Sequence, residues 1–170
     1  MNLEKYQQYS RIARGLEKAD LVLKDARIVN VFTEEIIRGD IAIQDGIIAG
    51  IGSFHGKEER DLAGRYVCPG FIDSHLHLES TLVTPAELVT AASRHGTTTF
   101  IVDPHESANV SGLAGVDYIL DQTEEAPANV YVMMPSCVPA THVDDNGCLL
   151  TAGKMKGYLD HPRILGLGEV

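Results

Sequence analysis

From Val67 onward, short β-branched or apolar runs alternate with helix-like stretches, and this alternation constrains the fold more than any other feature of the chain. Residues 97–102, 130–134 and 164–167 read as strands, and residues 84–95, 113–124 and 152–160 read as helices. Parallel strands need crossover connections of this kind, so the pattern predicts an α/β fold with a parallel sheet. Thr84-Pro85-Ala86-Glu87 carries an N-cap, a first-position proline and a capping-box glutamate. Gly96 supplies the stop, with His95 in the last turn.

The region ahead of Val67 reads differently. Leu3, Tyr6, Tyr9, Ile12, Ala13 and Leu16 recur at helical spacing, which predicts a packing helix over residues 3–16. Short Val- and Ile-rich runs follow, cut by turn residues, and Asp45-Gly46 between Ile43 and Ile47 is a hairpin signal. The expected organisation is an N-terminal helix (1–19), a small antiparallel β domain of sandwich type (20–67) and four β/α units (68–170). His55 falls in a polar stretch and reads as a solvated loop residue.

Composition narrows the class of protein. Hydrophobic residues make up 44% and charged residues 22%, as in soluble globular proteins. A formal net charge of −10 without a basic cluster argues against a nucleic-acid partner. No apolar run approaches the ~18 residues of a membrane span and no signal peptide opens the chain, so a cytoplasmic protein is expected. The three cysteines are widely spaced, which suits free thiols better than a disulfide framework.

Chemistry is expected where strands end. In Val67 to His77, V-C-P-G-F-I-D-S-H-L-H, a Pro-Gly turn leads into the apolar pair Phe71-Ile72, read as the start of a buried strand. Alternation along that strand places His75 and His77 on one face, able to hold a divalent metal, with Asp73 as an acceptor for a ring N–H. The next strand ends in Asp103-Pro104-His105-Glu106, read either as site residues or as a solvated turn that caps a helix. The third runs into Pro135-Ser136-Cys137 and a loop with His142, and the fourth ends in Gly166-Leu167-Gly168-Glu169. Glu169 is a candidate bridging carboxylate or a surface residue, and His161 before Pro162 reads as an exposed turn residue.

P-G-F-I-D-S-H-L-H at Pro69 to His77 resembles the start of the barrel in the amidohydrolase superfamily. D-P-H-E-S-A-N-V at Asp103, P-S-C-V-P-A-T at Pro135 and G-L-G-E-V at Gly166 resemble the adenine deaminase family within it. The resemblance implies the first half of a (β/α)8 barrel preceded by a small β domain. It also implies hydrolytic deamination of adenine to hypoxanthine and ammonia in purine salvage, by a metal-activated hydroxide. A binuclear centre of manganese or iron, a purine base as the small-molecule partner, and a homo-oligomer in full-length form follow from it as well. Carried over, His75, His77 and Glu169 are metal ligands and Glu169 and Asp103 the catalytic carboxylates. His105, Glu106 and Asp73 support the ligands or face the substrate.

The region from Val67 onward is under half of the ~250 residues a whole barrel takes. The resemblance implies that further ligands and a proton-shuttling aspartate come from later strands, so the isolated chain is expected to be inactive. Alternatives are another cyclic-amide or amidine hydrolase of the superfamily, or a non-catalytic half-barrel. His77-Leu78-Glu79 matches the H-x-E of zinc nucleobase deaminases, but the P-C-x-x-C they also need is absent.

Overall fold

The computed structural model describes residues 2–169, and the chain divides into two compact units, Met1–Pro69 and Gly70–Val170. In the first unit, α1 (Leu3–Ala13) begins at Asn2, whose side-chain oxygen accepts the N–H of Lys5 at 2.9 Å. The helix is shorter than the apolar stripe suggests because the chain turns at Gly15 with φ 71°. Of that stripe Ile12 alone is buried, packed against Ala19, Val22, Ala42 and Phe54.

Five strands follow: β1 (Ala19–Asn30), β2 (Glu35–Gln44), β3 (Ile47–Gly52), β4 (Gly56–Asp61) and β5 (Tyr66–Val67). The β2–β3 turn is the expected hairpin, with Asp45 and Gly46 both at positive φ, 51° and 75°. The sheet order is β3-β2-β1-β4, with β5 also on β1. The sheet is mixed, not antiparallel throughout, because β4 and β5 both run parallel to β1. The Gly56–Asp61 strand, G-K-E-E-R-D, escapes sequence reading because its side chains after Gly56 are exposed and show no apolar alternation. Charges of this kind protect a sheet edge from pairing with another chain.

β1 carries a bulge between Leu23 and Ala26, opposite Gly39 to Ile41 of β2. The buried Asp40 serves it, accepting the N–H groups of Asp25 and Phe54, each at 3.1 Å, and the Lys24 ammonium. Burial opposes ionisation of Asp40, but these donors outweigh it and hold the carboxyl below its ordinary range.

The second unit is a four-stranded parallel sheet in sequential order: β6 (Phe71–Leu76), β7 (Thr97–Val102), β8 (Asn129–Met134) and β9 (Ile164–Leu167). A 3₁₀ turn (Leu78–Thr81) and α2 (Pro85–Ser93) join β6 to β7. Next come α3 (His105–Ser111) and α4 (Leu113–Gln122), split by Gly112 at φ 65°, and α5 (Ala152–Met155) before β9. Val89, Phe100, Val102, Val116, Ile119, Val132, Met134 and Ile164 form one core between sheet and helices.

Three details depart from expectation. Thr84 is the N-cap of α2 but makes no side-chain cap bond, so the capping box is not formed. Phe71 and Ile72 are 62% and 63% exposed, since among the described residues β6 is an edge strand paired with β7 alone. Helix α3 has no sequence signal of its own, because H-E-S-A-N-V-S has little apolar periodicity and its N-cap is Pro104.

Candidate metal centre

All four strands of the second unit run the same way, so their C-terminal ends share one side of the sheet, where β/α enzymes place their chemistry. A register irregularity between Asp73 and Leu76 lies just before His77. His75 Nε2 and His77 Nε2 stand 3.0 Å apart. The Glu169 carboxylate, just past β9, meets both rings: Oε2 is 3.1 Å from His75 Nε2, and Oε1 is 3.5 Å from His77 Nε2.

His77 Nδ1 lies 2.9 Å from Glu106 Oε2. A carboxylate there accepts the Nδ1–H, which leaves the lone pair of His77 on Nε2, facing the other two groups. Two imidazole nitrogens and a carboxylate converging this closely make a chelating donor set. Imidazole and carboxylate without thiolate suit zinc, iron or manganese. The expected role of Asp73 is corrected: its Oδ1 accepts the backbone N–H of His75 at 3.3 Å, and the ring acceptor is Glu106. The reason is reach, because residues 73 and 75 are next-but-one on a single strand while Glu106 approaches from α3.

Asp103 sits beneath this group. It is fully buried, and its Oδ2 accepts the N–H of Glu169 at 3.0 Å. Its Oδ1 is 4.0 Å from His105 Nδ1, and neither atom has a hydrogen-bond partner among the described residues. Burial pushes the Asp103 carboxyl above its ordinary range, against the pull of the Glu169 N–H and the nearby histidines. His105 Nε2 lies 3.8 Å from Cys137 Sγ. Cys137 Sγ and Ser136 Oγ both donate to the backbone oxygen of Glu169, at 3.4 and 3.1 Å. Glu169 is thus held at its N–H by the residue just past β7 and at its carbonyl by the loop that follows β8.

One residue of this network carried no assigned role from sequence. Glu79 leaves the strand in the 3₁₀ turn, and its Oε1 accepts the N–H groups of Glu106 and Ser107 at 3.1 and 3.2 Å. Burial raises the Glu79 carboxyl, and the adjacent Glu106 carboxylate adds to the rise. Glu106 goes the other way: burial raises it, but its hydrogen bonds and His77 outweigh that and leave it below its ordinary range. No local pattern marks Glu79, because its contact is with α3, far along the chain. His55, exposed beside Glu59, and His142, exposed in its loop, join no donor group among the described residues. His161 is only half-buried, and its Nδ1 accepts the N–H of Arg163.

A family model described as Amidohydrolase family matches residues 66–163. The chain belongs to the amidohydrolase family. Over its whole length this amidohydrolase chain is 57% identical to a protein described as adenine deaminase from Desulfitobacterium hafniense (strain Y51). Over 94% of its length it is 52% identical to adenine deaminase 2 from Carboxydothermus hydrogenoformans. It spans 30% and 28% of the lengths of these two relatives. Among solved structures, N-acyl-D-glutamate deacylase from Bordetella bronchiseptica, complexed with zinc and a phosphonate inhibitor, matches 85% of this chain and 35% of its own. The TM-score is 0.51 at 21% identity, a likeness of fold. No described helix is long and apolar enough to cross a membrane.

Proposed function

We propose that this chain is the part of an adenine deaminase that supplies one side of its metal centre, with His75, His77 and Glu169 as ligands. The observation that carries the reading is the convergence of these three side chains at the strand ends of an amidohydrolase whose curated relatives are described as adenine deaminases. A divalent cation, manganese or iron in this reading, would supply a nucleophile near neutral pH by lowering the pKa of coordinated water. The work of the chain's own residues is to place and support. His75 and His77 present ring nitrogens, Glu106 fixes the His77 tautomer, and Glu169 offers a half-exposed carboxylate that can ligate metal and accept a proton.

Asp103 has no exposed surface, so it acts from below, orienting Glu169 through its N–H, and does not touch the purine. His105 lines the same end of the sheet. Adenine as substrate, a second metal, a cytoplasmic setting and a homo-oligomer belong to the whole protein, about three times as long as this chain if it matches its relatives.

The test has two parts. Metal content after purification without chelator is compared between wild type and His75→Ala plus His77→Ala, and equal content rejects the site. Ammonia release from adenine with added manganese is then measured for this chain and for one continued to the length of the relatives. Activity only in the longer protein is expected. A longer protein that opens a cyclic amide and leaves adenine untouched would overturn the substrate assignment.

A further inference from the structure

Helix α3 begins without a cap of its own. Its N-cap is Pro104, which has no side-chain acceptor and makes no cap bond. The first amides of a helix have no partner within the helix, and when the cap residue cannot serve them another group must. Here that group is Glu79, whose Oε1 accepts the N–H of Glu106 at 3.1 Å and of Ser107 at 3.2 Å, with Ser107 Oγ at 3.5 Å.

Glu79 is itself held firmly. The neighbouring Leu78 is fully buried in the core, and the 3₁₀ turn is closed by Thr81 Oγ1 on the Leu78 carbonyl at 2.7 Å. On its other side the first turn of α3 abuts Gly115 of α4, where a methyl group would overlap the Ser107 carbonyl. The turn is therefore clamped between Glu79 and Gly115, and Glu106 projects from it to His77 Nδ1. Glu106 is 55% exposed, and an exposed glutamate on a loose backbone would sample many rotamers.

We infer that Glu79 is a positioning residue of the metal centre: by capping α3 from a distance it holds Glu106 where it fixes the tautomer of His77. This rests on the metal reading proposed above, but it concerns a residue outside the His75, His77 and Glu169 donor set. It also makes the two arms of the site interdependent. The segment that carries His77 supplies, two residues later, the carboxylate that secures the partner of His77.

The test compares wild type, Glu79→Gln and Glu79→Ala, each purified as the full chain. Ring ¹⁵N shifts of His77 are recorded metal-free, at a pH where imidazoles are neutral, and manganese affinity is measured by titration calorimetry. Wild type is expected in the Nδ1–H form. Glu79→Gln keeps an acceptor for the two amides and should preserve both the tautomer and the affinity. Glu79→Ala should give a mixture of tautomers and lose about 10- to 100-fold in affinity, as removal of a ligand's supporting partner does. In the Glu79→Ala background, Glu106→Ala should add little. If Glu79→Ala does not fold, Glu79→Asp, which withdraws the oxygens by one methylene, serves in its place. A folded Ala or Asp variant with the wild-type His77 tautomer overturns the inference. A tautomer that responds as expected in a chain that binds no manganese overturns the metal reading and leaves the role of Glu79 standing.

Discussion

Gly168 lies directly on the carboxylate of Asp103: a methyl group at its α-carbon would overlap Oδ2, the atom that accepts the Glu169 N–H at 3.0 Å. The small residue before Glu169 is what allows a buried acid just past β7 to hold it. Gly168→Ala should displace one or the other and lower unfolding stability by about 1–3 kcal/mol. Gly166→Ala, which would meet only the end of the flexible Met133 side chain, at 3.7 Å, is the control and should be nearly neutral. Urea denaturation of the two variants makes the comparison.

Glu106 is half-exposed, so its loss leaves little buried polarity uncovered while freeing the His77 ring. Glu106→Ala should change thermal stability only slightly and weaken manganese binding about 10- to 100-fold. A drop in melting temperature without a drop in affinity would show that Glu106 serves the helix and not the ligand.

The first unit carries a pH signature through Asp40. Its carboxyl is depressed in the folded state by Lys24 and by the N–H groups of Asp25 and Phe54, which outweigh burial. A depressed carboxyl binds its proton less readily folded than unfolded, so its contribution is complete above the unfolded pKa of about 3.9 and fades as pH falls through the lower folded value. Asp40→Asn should cost about 1–3 kcal/mol at neutral pH, with the difference from wild type shrinking only below roughly pH 4. Paired melts across that range read it out.

Gly46 has open space around its α-carbon but sits at φ 75°, so only the backbone penalises a side chain there. Gly46→Ala should cost about 1 kcal/mol, and Gly46→Asn less, because asparagine tolerates the left-handed region. Equal losses in the two would mean that the turn relaxes to another type.

Where local chemistry decides structure, the sequence was readable. Thr97–Val102 and Ile164–Leu167 are the strands their β-branched or apolar runs predict, and Asp45-Gly46 makes its hairpin. His75 and His77 do face one another, and Glu169 does reach them. What stayed hidden depends on partners distant in sequence. The strand of Gly56–Asp61 is set by pairing with β1, since its own residues are charged. Helix α3 is capped from Glu79, so no local cap announced it. Asp73 looked like the natural support for its neighbouring histidines, but a ring nitrogen is more easily served from another element, and Glu106 does so.

The bond between Asp103 and Glu169 joins positions 66 residues apart. Closing a span of that length costs entropy before any contact repays it, and parallel strands are slow to assemble for this reason. The donor set is therefore expected to come together only once β7 and β8 have aligned. In native-state hydrogen exchange the Glu169 amide, two residues past a four-residue strand that is an edge among the described residues, should open well before the amides of Phe100 or Val132 in the core. A cation that grips the assembled donors would slow that opening more than any other, acting as a clasp between β6 and the end of β9.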